Sequence, residues 1–208
     1  MMPLMLGMRG SVNSFWQVIT AGNETSTFSR PPSMSLLTAR TPAWPAGSGE
    51  SNMSELAEGK KAPAFKMAAS GGREVSAAAL KGKPYLLYFY PKADTPGCTK
   101  QACGVQEALP QLGKLGLTVI GVSPDAMPPI EKFAKKYGLE FPLASDPEHK
   151  TAEAYGVWVE KSMYGKKYMG MERSSFLVAA DGKIVKIWRK VKPEAHAAEV
   201  LAAAKALG

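Results

Sequence analysis

Tyr85-Leu-Leu-Tyr-Phe-Tyr-Pro-Lys-Ala-Asp-Thr-Pro-Gly-Cys-Thr-Lys-Gln-Ala-Cys103 holds the change of pattern that decides the fold. Tyr85 to Tyr90 is an unbroken apolar run, as in a strand buried on both faces. Pro91 to Gly97 is turn chemistry, and helical pattern runs from about Cys98 to Lys114. Cys98 therefore stands where a turn opens into a helix. A cysteine there meets oriented backbone N–H groups and the positive end of the helix dipole, a setting that favours thiolate over thiol.

Strands and helices alternate outward from this stretch. Ala64 to Met67 and a piece near Glu74-Val75 read as a hairpin around Ser70-Gly71-Gly72. Leu117 to Val122 is a second buried strand. Pro129 to Tyr137 is a short helix with Pro128-Pro129 at its start, and Phe141 to Ala144 is extended. Pro147 to Tyr155 reads as a helix capped by Asp146. Ser174–Ala180 and Lys183–Arg189 form a hairpin whose Asp181-Gly182 signals a type I′ turn. Pro193 to Leu207 is a closing Ala-rich helix. This order implies an α/β fold with a mixed sheet.

The 208 residues are 45% hydrophobic and 21% charged, the balance of a globular protein, and no apolar run reaches membrane-spanning length. The net charge is +8, but it comes from scattered lysines rather than an arginine-rich block or a nucleic-acid signature. Neither a nucleic acid nor a membrane is expected as partner. Composition breaks near Met53. Residues 1–53 contain no lysine, with Arg9, Arg30 and Arg40 as their only cations, and show no sustained period. They read as a disordered extension ahead of a domain at 54–208. An upstream extension, with translation starting at Met53, is the preferred reading and implies a cytoplasmic protein. An organellar transit peptide is the alternative.

Cys98 and Cys103 are the only cysteines, five residues apart. On one helix that spacing separates their Cα atoms by about 8.6 Å, whereas a disulfide needs less than roughly 7 Å. The pair can act as a redox couple only if the first helical turns unwind. Two unrelated buried cysteines would not need the Thr-Pro-Gly turn. A metal site would have only His149 and His196 to add, far apart in sequence. A Cys-x-x-Cys dithiol is absent. There remains a nucleophilic cysteine that is oxidised and then met by its neighbour. His149 reads as an exposed helix start and His196 as a solvated residue of the last helix, neither of them a base. Met163, Met169 and Met171 either pack near the site or fill gaps.

Residues 54–208 resemble a peroxiredoxin of the Q, or bacterioferritin comigratory protein, type. Pro91-x-x-x-Thr95-x-x-Cys98 matches the family's active-site motif, and Cys103 stands where this type has its resolving cysteine. Tyr164 to Phe176 resembles the later segment that carries the active-site arginine, here Arg173. The resemblance implies a thioredoxin-like fold and a thiol-dependent peroxidase in antioxidant defence, acting on hydrogen peroxide and organic hydroperoxides. It implies that Cys98 attacks the peroxide and that Cys103 resolves the sulfenic acid as an intramolecular disulfide. Thr95 would orient thiolate and peroxide, Arg173 would favour the thiolate and polarise the peroxide, and Pro91 would wall the pocket. No cofactor or metal is implied. Thioredoxin is the implied reductant, and a monomer the implied state, with a dimer as alternative. A redox sensor or chaperone-like binding protein, switched by the same cysteines, is the alternative function.

Overall fold

The computed structural model describes residues 56–207 apart from Tyr164. The expectation for residues 1–53 lies outside the described residues. Seven strands form one mixed sheet in the order β2-β1-β5-β4-β3-β8-β9. They are β1 (Lys66–Ala69), β2 (Arg73–Ser76), β3 (Tyr85–Phe89), β4 (Thr118–Ser123), β5 (Leu143–Ser145), β8 (Ser174–Val178) and β9 (Ile184–Trp188). Strands β3, β4 and β5 run parallel, and the outer pairings are antiparallel. The helices are α1 (Pro96–Lys114), α2 (Met127–Tyr137), α3 (Lys150–Ala154) and α4 (His196–Lys205).

The apolar run becomes β3, the strand between β4 and β8, and all five of its residues are buried. Alternation sends Tyr85, Leu87 and Phe89 into one core cluster and Leu86, Tyr88 and Tyr90 into the other. The Tyr88 cluster is closed by Val105 and Leu112 of α1, Ile130 and Phe133 of α2, and Val200 of α4. On the opposite face, Ala152 and Tyr155 at α3 pack with Phe65, Phe89 and Phe176. A strand buried on both faces has no solvated side and so needs no polar alternation, which is why its sequence reads as continuous apolar residues.

The structure adds one element and corrects three expectations. Trp158–Met163 and Lys166–Met171 form an antiparallel ribbon, β6 and β7, which no periodicity announced. Lys166 to Met169 are all exposed, so the ribbon lacks the buried face that would print a period of two. It is held by its backbone ladder and by cross-strand pairs such as Lys167–Glu160 at 3.0 Å. Helix α3 begins at Lys150 rather than Pro147, because His149 takes φ 60° and interrupts the backbone. The Asp146 carboxylate still accepts from Thr151 N and Ala152 N, at 3.3 and 2.8 Å. The β8–β9 turn is not type I′, since Asp181 is not at positive φ. Gly182 N donates to Ala179 O and Ala179 N to Lys183 O, framing a three-residue loop with Gly182 at φ 81°. His196, expected in solvent, is 0% exposed, between Tyr88 and Trp188. The helix that carries it packs against α1 through Gly104 and Ala197, which turns His196 inward. Of the three methionines singled out, Met171 is in the core, Met169 is exposed, and the side chain of Met163 lies outside the described residues.

Two predictions follow from this packing. A Cβ on Gly121 would stand 2.7 Å from Leu143 Cδ2 and 2.8 Å from the Tyr88 ring, both fully buried. Gly121→Ala should therefore cost about 1–3 kcal/mol in urea denaturation, and an unchanged midpoint would contradict the packing. Burial, with the nearby Arg173 charge adding to it, lowers the pKa of His196 from 6.5 to about 4. The unfolded chain then takes up this proton first as pH falls. The associated stability is fully present above pH 6.5 and is lost between pH 6.5 and 4. The loss is roughly 3 kcal/mol by the unit-shift conversion. Urea midpoints across that window should fall less steeply for His196→Phe than for the parent, and parallel curves would remove the histidine from the acid response.

Candidate active site

Strand β3 delivers the site. It ends beside β4, and the chain leaves it through the half-buried Pro91 and turns into α1. Two contacts pin the turn. Ala93 N donates to Asp125 Oδ2 at 2.6 Å. Asp94, at φ 56°, accepts from Lys136 Nζ at 2.8 Å and from Tyr137 Oη at 2.7 Å. Those bonds from α2 hold the Asp94 carboxyl below the usual carboxylate range, and they offset the left-handed backbone that a non-glycine residue resists.

Thr95 is the N-cap of α1, in extended conformation, and Pro96 supplies the first helical φ. Thr95 O accepts Thr99 N at 2.8 Å, but its side chain caps no amide. Its hydroxyl donates to Lys92 O at 3.2 Å, which leaves oxygen lone pairs free to accept. Pro96 has no N–H, so the Gly97 and Cys98 amides are the open donors of the helix start. No acidic residue stands in the first turn to cancel the dipole there.

Cys98 is buried, 2% exposed, and Arg173 meets it from the segment before β8. Arg173 Nη2 lies 3.3 Å from Cys98 Sγ, while Nη1 donates to Gly97 O at 3.3 Å and to Gln101 Oε1 at 2.7 Å. Gln101 Nε2 is in turn 3.2 Å from His196 Nδ1. A Cβ on Gly97 would stand 3.2 Å from Arg173 Nη2, so a side chain there would push the guanidinium by a few tenths of an ångström. The other two arginines of the domain are engaged away from Cys98. Arg73 binds Ser70 O and Glu140 O, and Arg189 binds Gly156 O.

Of the five residues singled out from sequence, the structure joins Cys98 and Arg173 directly and sets Thr95 at the cap of the same helix. Pro91 stands at the exit of β3. Cys103 is on α1 with Cys98, half-buried, and both thiols are free. Cys103 lines an open depression of roughly 400 Å³ with Asp94, Thr99, Lys100, Lys136 and Tyr137. Sequence reasoning missed Gln101, His196 and Lys161. Gln101 had a usable signal: three residues after Cys98 on a helix is the same face. His196 had none, since a lone histidine in an Ala-rich helix looks solvated. Lys161 Nζ donates to Met171 O at 2.5 Å, and burial lowers its pKa. Among the described residues, no three His, Cys, Asp or Glu side chains converge to hold a metal, and no helix is long and apolar enough to cross a membrane.

Known proteins are similar to this chain in sequence and fold. The AhpC/TSA family matches residues 58–187. Peroxiredoxin Bcp of Bacillus subtilis is 46% identical over 143 residues, covering 69% of this chain and 91% of that protein. The Xanthomonas campestris bacterioferritin comigratory protein, studied for alkyl peroxide reduction, is similar in structure with a TM-score of 0.66. It is 42% identical, with 68% of this chain and 90% of that one covered. A mutant of Xylella fastidiosa PrxQ gives a TM-score of 0.69 at 35% identity, covering 73% of this chain and 96% of that one. With β3 leading into a buried, arginine-paired cysteine at a helix start, the chain belongs to the AhpC/TSA family as a peroxiredoxin of the Q, or bacterioferritin comigratory protein, type, a thiol peroxidase.

Proposed function

We propose that this chain reduces hydrogen peroxide and organic hydroperoxides through Cys98, resolves through Cys103, and is recycled by thioredoxin or a similar dithiol. The observation that carries the reading is Arg173 Nη2 at 3.3 Å from Cys98 Sγ. A fixed guanidinium favours the thiolate and offers donors to the oxygen on which charge develops. The Cys98 thiolate attacks one peroxide oxygen. An S–O bond forms, the O–O bond breaks, and the leaving oxygen departs as water or an alcohol after taking a proton. Thr95, whose hydroxyl already donates to Lys92 O, accepts from the incoming hydroperoxide, and the Gly97 and Cys98 amides face the developing charge. Pro91 closes the β3 side of the pocket. Organic hydroperoxides are included because the Xanthomonas campestris relative is described by its alkyl peroxide reduction.

Resolution needs movement. Cys103 thiolate must reach the Cys98 sulfenic sulfur; the S–S bond forms as the S–O bond breaks, and the hydroxide leaves as water after taking a proton. An intact α1 holds the two Cα atoms about 8.6 Å apart, so the first turns unwind. Both cysteines lie on one helix, which supports an intramolecular disulfide in a monomer with residues 54–208 as the catalytic unit. Two electrons from an external dithiol then restore both thiols.

Steady-state peroxide consumption with a thioredoxin system should fall to background in Cys98→Ser. It should fall about a hundredfold in Arg173→Ala, the scale of removing one transition-state donor. A Cys98→Ser enzyme with normal turnover would sink the assignment, and one equivalent of oxidation without cycling would point to a sensor instead. Cys103→Ser should complete a single turnover and then hold a sulfenic acid on Cys98. Trapping with a dione and mass spectrometry reads this directly, and an unlabelled, reduced Cys98 after peroxide would remove Cys103 from the resolving role.

A further inference from the structure

His196 and Gln101 take no part in the chemistry above, yet both are buried, at 0% and 1% exposure, and they continue the contacts of Arg173 inward. Hydrogen-bond polarity fixes the contacts as far as the imidazole, whose outer Nε2 has no partner among the described residues. Arg173 stays charged and can only donate. Gln101 must therefore turn its Oε1 to Nη1, at 2.7 Å, which leaves its Nε2 facing His196 Nδ1 at 3.2 Å. An amide nitrogen only donates, so Nδ1 must accept and the imidazole proton sits on Nε2. The reversed amide would point an N–H group at the guanidinium and lose the 2.7 Å bond. Only a neutral imidazole fits, and its surroundings keep it neutral. The rings of Tyr88 from β3 and Trp188 from β9 lie against it at 6.0 and 6.3 Å, Gln101 covers it from α1, and Arg173 supplies the nearby positive charge.

We propose that His196 is a positioning residue for Arg173: its Nδ1 acceptor locks the Gln101 amide with Oε1 toward the guanidinium, and so keeps Nη2 on Cys98 Sγ. The lock comes from α4, whose close approach to α1 at Gly104 and Ala197 sets the reach of His196. This rests on the reading of Cys98 as the attacking thiol. The two fail separately, because Cys98→Ser tests that reading without touching the relay.

The test is the second-order rate constant of the reduced full chain with hydrogen peroxide, measured in a single turnover. His196→Phe keeps a ring against Tyr88 and Trp188 but has no acceptor, and the rate should fall about tenfold, a loss of transition-state stabilisation alone. His196→Asn places an amide oxygen near the Nδ1 position and should stay within about threefold of the parent. In an Arg173→Ala background, His196→Phe should cost less than about twofold, because the histidine acts only through the arginine. A His196→Phe rate equal to the parent, equal losses in the Phe and Asn variants, or a full tenfold loss that persists without Arg173 would each overturn the proposal. If His196→Phe fails to fold, Gln101→Leu, which breaks the same relay one step nearer, takes its place, with the same loss expected and the same dependence on Arg173.

Discussion

Five residues on one helix is the constraint around which the rest of this structure is arranged. An α-helix that carries Cys98 on its first turn offers the sulfur open amides and a positive dipole, but it also holds Cys103 out of bonding reach. In the proposed cycle the helix is well formed for attack and opens for resolution. Its first turn is accordingly assembled from parts that come from elsewhere. Strand β3 delivers the loop, α2 grips Asp94, α4 buttresses Gln101, and the segment before β8 brings Arg173. Few of the contacts that define the site are internal to α1.

The proposed chemistry asks a buried sulfur to act as a thiolate, which is costly unless a charge stays close. Arg173 supplies that charge only because its neighbour in sequence does not compete for it. The Glu172 carboxylate accepts from Ser174 Oγ at 2.8 Å and pairs with Arg189 at 3.6 Å. The guanidinium of Arg173 is left to Cys98, Gly97 O and Gln101. The same division explains why a domain with 20 lysines uses one of its three arginines here. A guanidinium can bridge a sulfur and two oxygens at fixed angles, which a compact ammonium cannot do.

Much of this was legible in the sequence, for particular reasons. Tyr85 to Tyr90 reads as a central strand because burial on both faces removes the need for polar residues. Thr95, Pro96 and Gly97 read as a turn opening into a helix at about Cys98, and the structure starts the helix two residues earlier, at Pro96, because proline presets the first helical φ. Cys98 and Cys103 were readable because helix geometry alone limits them. The β6–β7 ribbon was not, because Lys166 to Met169 face solvent and leave no apolar alternation to detect. His196 was misread because its burial depends on how closely α4 approaches α1. Gly104 and Ala197 lie at that approach, but nothing in the sequence near either residue announces it. Arg173 was found by resemblance, since its approach to Cys98 spans 75 residues of chain.

The loop and first turn are held on two sides of unequal character. Toward the core, Arg173, Gln101 and His196 form bonds largely shielded from water. Toward solvent, Asp94 is held by Lys136, whose side chain is 56% exposed. An exposed ion pair contributes little to stability and weakens with salt, whereas breaking the buried relay strands polar groups without partners. The two anchors therefore oppose opening to different degrees. Unwinding that starts at Asp94 frees the loop at low cost, with a left-handed Asp94 gaining backbone freedom as it leaves. Unwinding that reaches Gln101 must give up the relay, and with it the contact between Arg173 and Cys98. In the proposed cycle, oxidation of Cys98 changes the group that Arg173 holds, and the buried anchor weakens at the step where the helix would open.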